Sequence, residues 1–259
     1  MKPRANGVWP WIAGLAAGAA VAGGWQVYRR RPRERSAGFE GLDDPEVARA
    51  FGRIARLPQF WLLRRIAIRR ALALKREGHA ADLGCGPGDL VLELAKREPA
   101  LRVTGIDLSP EMLAQAAARA EGAGMGDRVD FWPGDAQSIP FPDGSLDLVV
   151  STLSLHHWSA PVAAFDEIAR VMRPGGAFVI FDLRRDLAAP FYLLIWFATN
   201  VVVPAALRRV NEPLGSRNAS YTPQEAAALL AQSRLRGWRV THGPLWLTLE
   251  GIKPPSSVV

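Results

Sequence analysis

The stretch Ala81-Asp82-Leu83-Gly84-Cys85-Gly86-Pro87-Gly88-Asp89 sets glycine at every second position directly after a short apolar run. Glycine there permits a tight turn and lets a ligand approach the backbone, with the positive end of a helix beyond. Dinucleotide sites use a related turn but space it G-x-G-x-x-G; here the third glycine arrives one place early, at Gly88. Asp89 follows, and its carboxylate suits a pyrophosphate poorly. The pattern points to a nucleoside without phosphates that carries a positive centre. Asp107 closes a second apolar run, a position from which a carboxylate accepts hydrogen bonds from a ribose diol. Ser109 suits the cap of the next helix and Pro110 its first turn. After a third run comes Gly134-Asp135-Ala136, where a short acidic residue can receive an adenine amino group.

A fourth run leads into Ser151-Thr152-Leu153-Ser154-Leu155-His156-His157-Trp158. Histidine titrates near neutrality, so His156 and His157 are the candidates for accepting a phenol or enol proton. The structural alternative has one ring packing between helix and sheet while the other holds a loop. A metal site would need a third ligand that the neighbourhood lacks, so no metal is expected.

These residues meet only if successive strands end side by side. Short apolar stretches at 79–83, 102–106, 129–132, 146–151 and 177–181 alternate with helical patterns at 89–97, 110–121 and 160–172. That alternation reads as βαβ units on a parallel sheet, and ligands of such sheets bind at the carboxyl ends of the strands. A further helix at 223–233 and two strands at 238–241 and 245–250 follow. In a chain of 259 residues, 49% hydrophobic and 22% charged, neither disorder nor a polytopic membrane fold is expected. One cysteine excludes a disulfide framework.

In this order the motifs resemble those of the class I S-adenosylmethionine-dependent methyltransferases, in particular the ubiquinone/menaquinone C-methyltransferase group. The resemblance covers residues 79–182 and weakens towards 250. It implies a Rossmann-like seven-stranded α/β sheet with helices on both faces, ending in a reversed hairpin, and S-adenosyl-L-methionine as cofactor. Asp82, Gly84, Cys85, Gly86 and Gly88 would surround its methionine half, with Ser151 close by. Asp107 would hold the ribose, Leu108 and Met112 would flank the adenine, and Asp135 and Ala136 would meet its edge. The glycines of the 170–177 turn are structural in this reading.

The remaining segments suggest a membrane. Residues 8–28 contain no charge, and a helix of that length spans roughly 30 Å, the thickness of a bilayer's hydrocarbon core. Trp9, Trp11, Trp25 and Tyr28 mark its two ends. Five arginines within 29–35 place its C-terminal side in the cytoplasm, giving a single-pass anchor with a cytoplasmic catalytic domain. A cleaved signal peptide is the alternative. The expected organisation is an anchor at 1–28, a linker at 29–44, cap or interfacial helices at 45–76, the methyltransferase domain at 77–252 and a flexible tail at 253–259. Within 59–76, Arg64, Arg65, Arg69 and Arg76 fall on one helical face and Leu63, Ile66, Ala67 and Leu74 on the other. The apolar run 191–203 is too short to span a bilayer and reads as a wall of the acceptor pocket, a membrane-surface element or an ordinary buried helix.

Residues 1–35 carry a net +6 and 36–77 a net +4, leaving 78–259 at −3. A body without basic excess speaks against nucleic acid, and no Asn/Asp-Pro-Pro-aromatic motif follows the fourth strand. The leading expectation is a membrane-anchored enzyme that methylates a hydrophobic small molecule, a quinone precursor or lipid. A non-catalytic cofactor-binding module recruited to membranes, and a nucleic-acid methyltransferase, are the competing readings. Oligomeric state is not legible.

Overall fold

The computed structural model describes residues 21–36 and 44–255. Seven strands form one sheet in the order β3-β2-β1-β4-β5-β7-β6. They are β1 (Gly78–Leu83), β2 (Leu101–Asp107), β3 (Val129–Pro133), β4 (Leu146–Thr152), β5 (Met172–Leu183), β6 (Trp238–His242) and β7 (Trp246–Ile252). β7 pairs antiparallel with both β5 and β6, and the other neighbouring pairs are parallel. The chain winds outward from β1 to β3 and restarts at β4 on the other side of β1. The crevice between β1 and β4 is therefore the switch point at which open α/β sheets bind ligands.

Alternation along the strands builds two cores, one per face. Val149, Phe178 and Ile180 pack with Phe165, Ile168 and Leu230 of α6 (Pro161–Val171) and α10 (Pro223–Gln232). Leu148, Val150 and Val179 pack on the other face with α3 (Pro58–Leu74) and α4 (Asp89–Arg97), chiefly through Ile68, Leu72, Leu90 and Leu94. Beside β2 and β3 lies α5 (Pro110–Gly122), capped by Ser109, whose hydroxyl accepts from the Met112 N–H. β5 starts five residues before the expected strand because Met172 already pairs with Leu146; the register then shifts, and Gly175 sits at φ +77°.

Outside the sheet the expectations hold less well. Most of the apolar run 8–28 lies outside the described residues, as do 37–43 and 256–259. From residue 21 the chain is helical through 29 (α1). Among the described residues no single helix is long and apolar enough to cross a membrane; one pair, Ala189–Val202 with Ala205–Ala219, passes together but is bent by 118°. Residues 30–36, expected as linker, are strapped to the domain. Buried Arg185 and Arg217 donate to the carbonyls of Arg33 and Pro32, and Arg35 donates to those of Ala219 and His156. Arginine-rich sequence reads as solvated, yet these groups bond to carbonyls contributed by folding.

The cap region forms two helices, α2 (Pro45–Ile54) and α3. The buried face of α3 is Ala67, Ile68, Ala71 and Leu72; of the expected apolar side Ala67 is buried and Leu74 packs partly buried beside it, while Leu63 and Ile66 are not buried. Arg64 turns inward, drawn by Glu93 at 3.2 Å and Asp89 at 3.7 Å. The run 191–203 folds as α7 (Ala189–Phe197) and a π-helical turn (Ala198–Val202), and of these residues only Tyr192 and Thr199 are buried. An ordinary buried helix is thereby excluded. Two short helices follow, α8 (Ala205–Arg209) and α9 (Leu214–Ala219).

Candidate active site

β1 delivers the chain into a turn that only glycine tolerates at its critical points. Gly84 has φ +69°, and a Cβ there would lie 2.1 Å from the Ser154 hydroxyl oxygen, so its bareness lets the turn after β4 close against it. Gly86 has φ +51° and nothing within 4 Å of where a Cβ would stand. It borders open space, and a side chain would fill that space. Asp107 ties the end of β2 to this turn. One carboxylate oxygen accepts from the Gly86 N–H at 2.7 Å and the other from the Ser109 N–H at 2.9 Å. Burial pushes the Asp107 carboxyl above its ordinary range, against the pull of those backbone donors.

Asp82 lies behind the turn, fully buried, with neither carboxylate oxygen hydrogen-bonded. Burial, then the Asp107 charge, raises its pKa well above the usual carboxylate value. A folded state that holds the proton more tightly than the unfolded chain loses stability as pH rises through the raised pKa. Asp82→Asn is therefore expected to raise the melting temperature of the ligand-free protein at pH 7. The gain should be at least a few degrees, since ~1 kcal/mol is worth about 2–4 °C in a domain of this size. It should shrink as pH falls towards the ordinary carboxylate range, where the unfolded chain binds the same proton. Thermal melts of both proteins across pH check this; a variant less stable at pH 7 would show the charge to be compensated.

The glycine turn, Asp107 and the loops after β3 and β4 enclose a cavity of about 360 Å³. Gly84, Cys85, Gly86, Asp107, Leu108, Met112, Asp135, Ala136 and His157 all line it. Leu108 is 70% exposed, an apolar side chain offered to the cavity, while Met112 is buried beneath. Asp135 accepts from the Gln137 N–H and so shapes its own loop. Asp89 also borders the cavity, held by both guanidinium nitrogens of Arg119 at 2.6 and 2.9 Å. Its charge is thus met, and the case against a pyrophosphate rests on the glycine spacing instead.

Four expected site residues stand behind the wall. Asp82 is one. Gly88 caps α4 at φ +78°, and a Cβ there would press on Ala116 and Phe131, so its role is packing. Ser151 is buried with its hydroxyl donating to the Leu83 carbonyl, which knits β4 to β1. His156 is 3% exposed; its backbone N–H donates to Asp182, and its ring Nδ1 lies 2.8 and 2.9 Å from the two Asp182 oxygens. A 3-10 turn at Leu155–His157 separates the two histidines: the His156 ring packs inward, and the His157 ring reaches the cavity with its centroid 4.1 Å from that of His156.

The aromatic part of the lining carries no short-range sequence signal. Phe51 of α2, and Phe60 and Arg64 of α3, line the cavity together with Trp158. Arg64 is fixed by the Ala55 carbonyl and by Glu93. Leu153, also lining, adopts φ +55°, a left-handed conformation that costs a non-glycine residue of order 1 kcal/mol or more. The cavity thus has a polar half made by strand ends and an aromatic half made by the cap helices.

Comparison with known proteins places this geometry among relatives. A methyltransferase domain family model matches residues 81–180. The chain is 30% identical over 203 residues to a demethylmenaquinone methyltransferase of Thermus thermophilus, covering 76% of this chain and 89% of that protein. It is 34% identical over 101 residues to a ubiquinone/menaquinone biosynthesis C-methyltransferase of Roseobacter denitrificans, 39% of this chain and 40% of that one. A crystal structure of a putative S-adenosyl-L-methionine-dependent methyltransferase from Methanococcus maripaludis superposes with TM-score 0.66 at 21% identity, covering 86% of this chain and all of that one.

Proposed function

The chain belongs to the class I S-adenosylmethionine-dependent methyltransferases, and we propose that it methylates a hydrophobic small molecule, a quinone precursor or lipid-like acceptor, while anchored in a membrane by residues 8–28 with its catalytic domain in the cytoplasm. S-adenosyl-L-methionine supplies, when bound, a methyl group already activated by the sulfonium. Protein residues then have chiefly to position the acceptor in line with that group, a contribution of several kcal/mol that needs no covalent intermediate.

The residues present fit the cofactor. Asp107 keeps lone pairs free for a ribose diol beyond its backbone donors, and Gly86 leaves its side of the cavity clear. Asp82, buried behind the turn with neither carboxylate oxygen hydrogen-bonded, would be favoured in its charged form by a positive ligand in the cavity. Leu108 and Met112, which line the cavity, would offer apolar contact to the adenine, and Asp135 and Ala136 would meet its edge.

The acceptor reading is carried by the aromatic half of the cavity. Phe51 and Phe60 of the cap helices line it together with Trp158 and His157 of the loop after β4, His157 being the imidazole offered to accept a proton. His156, pinned by Asp182, positions the turn that presents His157. The two quinone-related relatives point to the same substrate class. A homologous series of quinol acceptors with lengthening apolar tails tests the reading. Burying a methylene is worth ~0.8 kcal/mol, so kcat/KM is expected to rise up to about fourfold per carbon until the tail leaves the cavity. A flat series, or a preference for short polar acceptors, would contradict it.

A further inference from the structure

α7 and the turn after it carry the largest exposed apolar side chains of their region: Leu194, Phe197, Val201 and Val202 are 50–65% exposed. A contiguous apolar surface of this kind marks a binding face. α1 lies along its root. The Tyr28 hydroxyl donates to the Leu187 carbonyl at 3.2 Å, and the Tyr28 ring meets Tyr192 edge-on at 5.8 Å. Gly24 approaches Leu193 so closely that a Cβ would stand 3.2 Å from it. Trp25, 54% exposed, lies beside Tyr28 with ring centroids 5.7 Å apart and extends the apolar face onto α1.

Three observations favour a lipid bilayer as the occupant. α1 is the C-terminal end of the uncharged run 8–28, so whatever receives that run lies against α7 as well. Charge is complementary to anionic headgroups: residues 187–211 contain no acidic side chain, exposed Arg29 and Arg30 end α1, and exposed Arg208 donates to the Asn200 carbonyl. Below them, buried Arg217 stacks over Tyr192 and donates to Pro32 and Asn218. Burial, with Arg31 and Arg185 nearby, lowers its pKa to about 10, which leaves it charged near neutrality. Length sets the depth. The 14 residues Ala189–Val202 span about 21 Å, short of a crossing. Beyond the 118° bend the chain re-enters the domain, where Gly215, Ser216, Arg217 and Ala219 are buried.

We propose that α7 and the turn Ala198–Val202 form a second membrane contact, lying in the interfacial layer of the bilayer that holds the N-terminal run, with Arg30 and Arg208 at the headgroups. This rests on the anchored reading above and goes further, since it fixes the orientation of the catalytic domain as well as its attachment. Residues 32–36, bound to Arg185, Arg217 and the His156 carbonyl, make the connection between the two contacts short and rigid.

The full-length protein tests it, with Phe197→Cys and Val201→Cys labelled singly by an environment-sensitive fluorophore. Lys96→Cys, at the far end of α4, is the reference, and the native Cys85 is buried and stays in place. Each protein is mixed with vesicles of phosphatidylcholine and phosphatidylglycerol carrying a shallow spin-labelled lipid. The labels at 197 and 201 are expected to shift to the blue and lose most of their emission to the quencher, while the label at 96 stays aqueous. Leu194→Cys repeats the readout should either variant fold poorly. Floating protein whose 197 and 201 labels behave like that at 96 would overturn the second contact and leave the anchor standing. Protein that does not float with vesicles would overturn both. A blue shift already present without lipid, rising with protein concentration, would assign the face to a second copy of the chain and overturn the lipid contact.

Discussion

Asp107→Ala is expected to weaken S-adenosylmethionine binding by about 10²–10⁴-fold while leaving the sheet folded. A carboxylate accepting both ribose hydroxyls makes two charge-assisted hydrogen bonds, each worth about 1.5–3 kcal/mol, and each ~1.4 kcal/mol is tenfold in affinity. The residue also accepts from Gly86 and Ser109, so its loss loosens the glycine turn and adds to the effect. Asp107→Asn keeps an acceptor oxygen and the shape, and should fall between parent and alanine. The sign with pH follows from the raised pKa. Acidification protonates Asp107 and removes acceptor capacity, so cofactor affinity should decline as pH falls through that range, and the decline should disappear in the asparagine variant. Calorimetric titrations across pH measure both effects. An alanine variant that binds within a few-fold of the parent would remove Asp107 from the cofactor site.

The second large effect belongs to the adjacent histidines, which the structure separates. His157→Gln is expected to lower kcat by roughly 10²–10⁴-fold, the usual cost of losing a general base, with cofactor affinity nearly unchanged. An imidazole serves as base only when unprotonated, so the parent rate should fall on the acidic side and the variant should lack that limb. His156→Gln should behave differently. Its ring is buried against Asp182, and replacement leaves a buried carboxylate short of a partner, so the melting temperature should drop together with activity. Equal, modest losses in both variants with an unaltered pH profile would leave positioning as the whole mechanism.

Much of the polar half of the site was legible because local sequence encodes it. A glycine turn between strand and helix, a carboxylate closing the next strand and a Ser-Pro cap are short-range signals, and the sheet then brings them together by topology alone. The aromatic half was not. Phe51 and Phe60 lie more than 15 residues before β1 on helices whose packing is decided by tertiary contact, and Arg64 is drawn inward by Glu93 of a later helix. Ser151 misled because a hydroxyl at a strand end serves a ligand or a neighbouring carbonyl equally well, and here it serves Leu83. The two histidines look alike in sequence; only the 3-10 turn decides which reaches the cavity. The strap at 30–36 reads as linker because arginine and proline give no sign of the buried partners, Arg185 and Arg217, that hold it.

On the proposed function, this cavity passes a methyl group from S-adenosylmethionine to a hydrophobic acceptor. Incubating full-length protein with methyl-labelled S-adenosylmethionine and a total cell extract, then partitioning the products between organic solvent and water, tests it most directly. Label is expected in the organic phase, in a single chemical class that carries an apolar tail, and is expected to be lost with Asp107→Ala. Label confined to the aqueous phase, or to nucleic acid or protein, would contradict it.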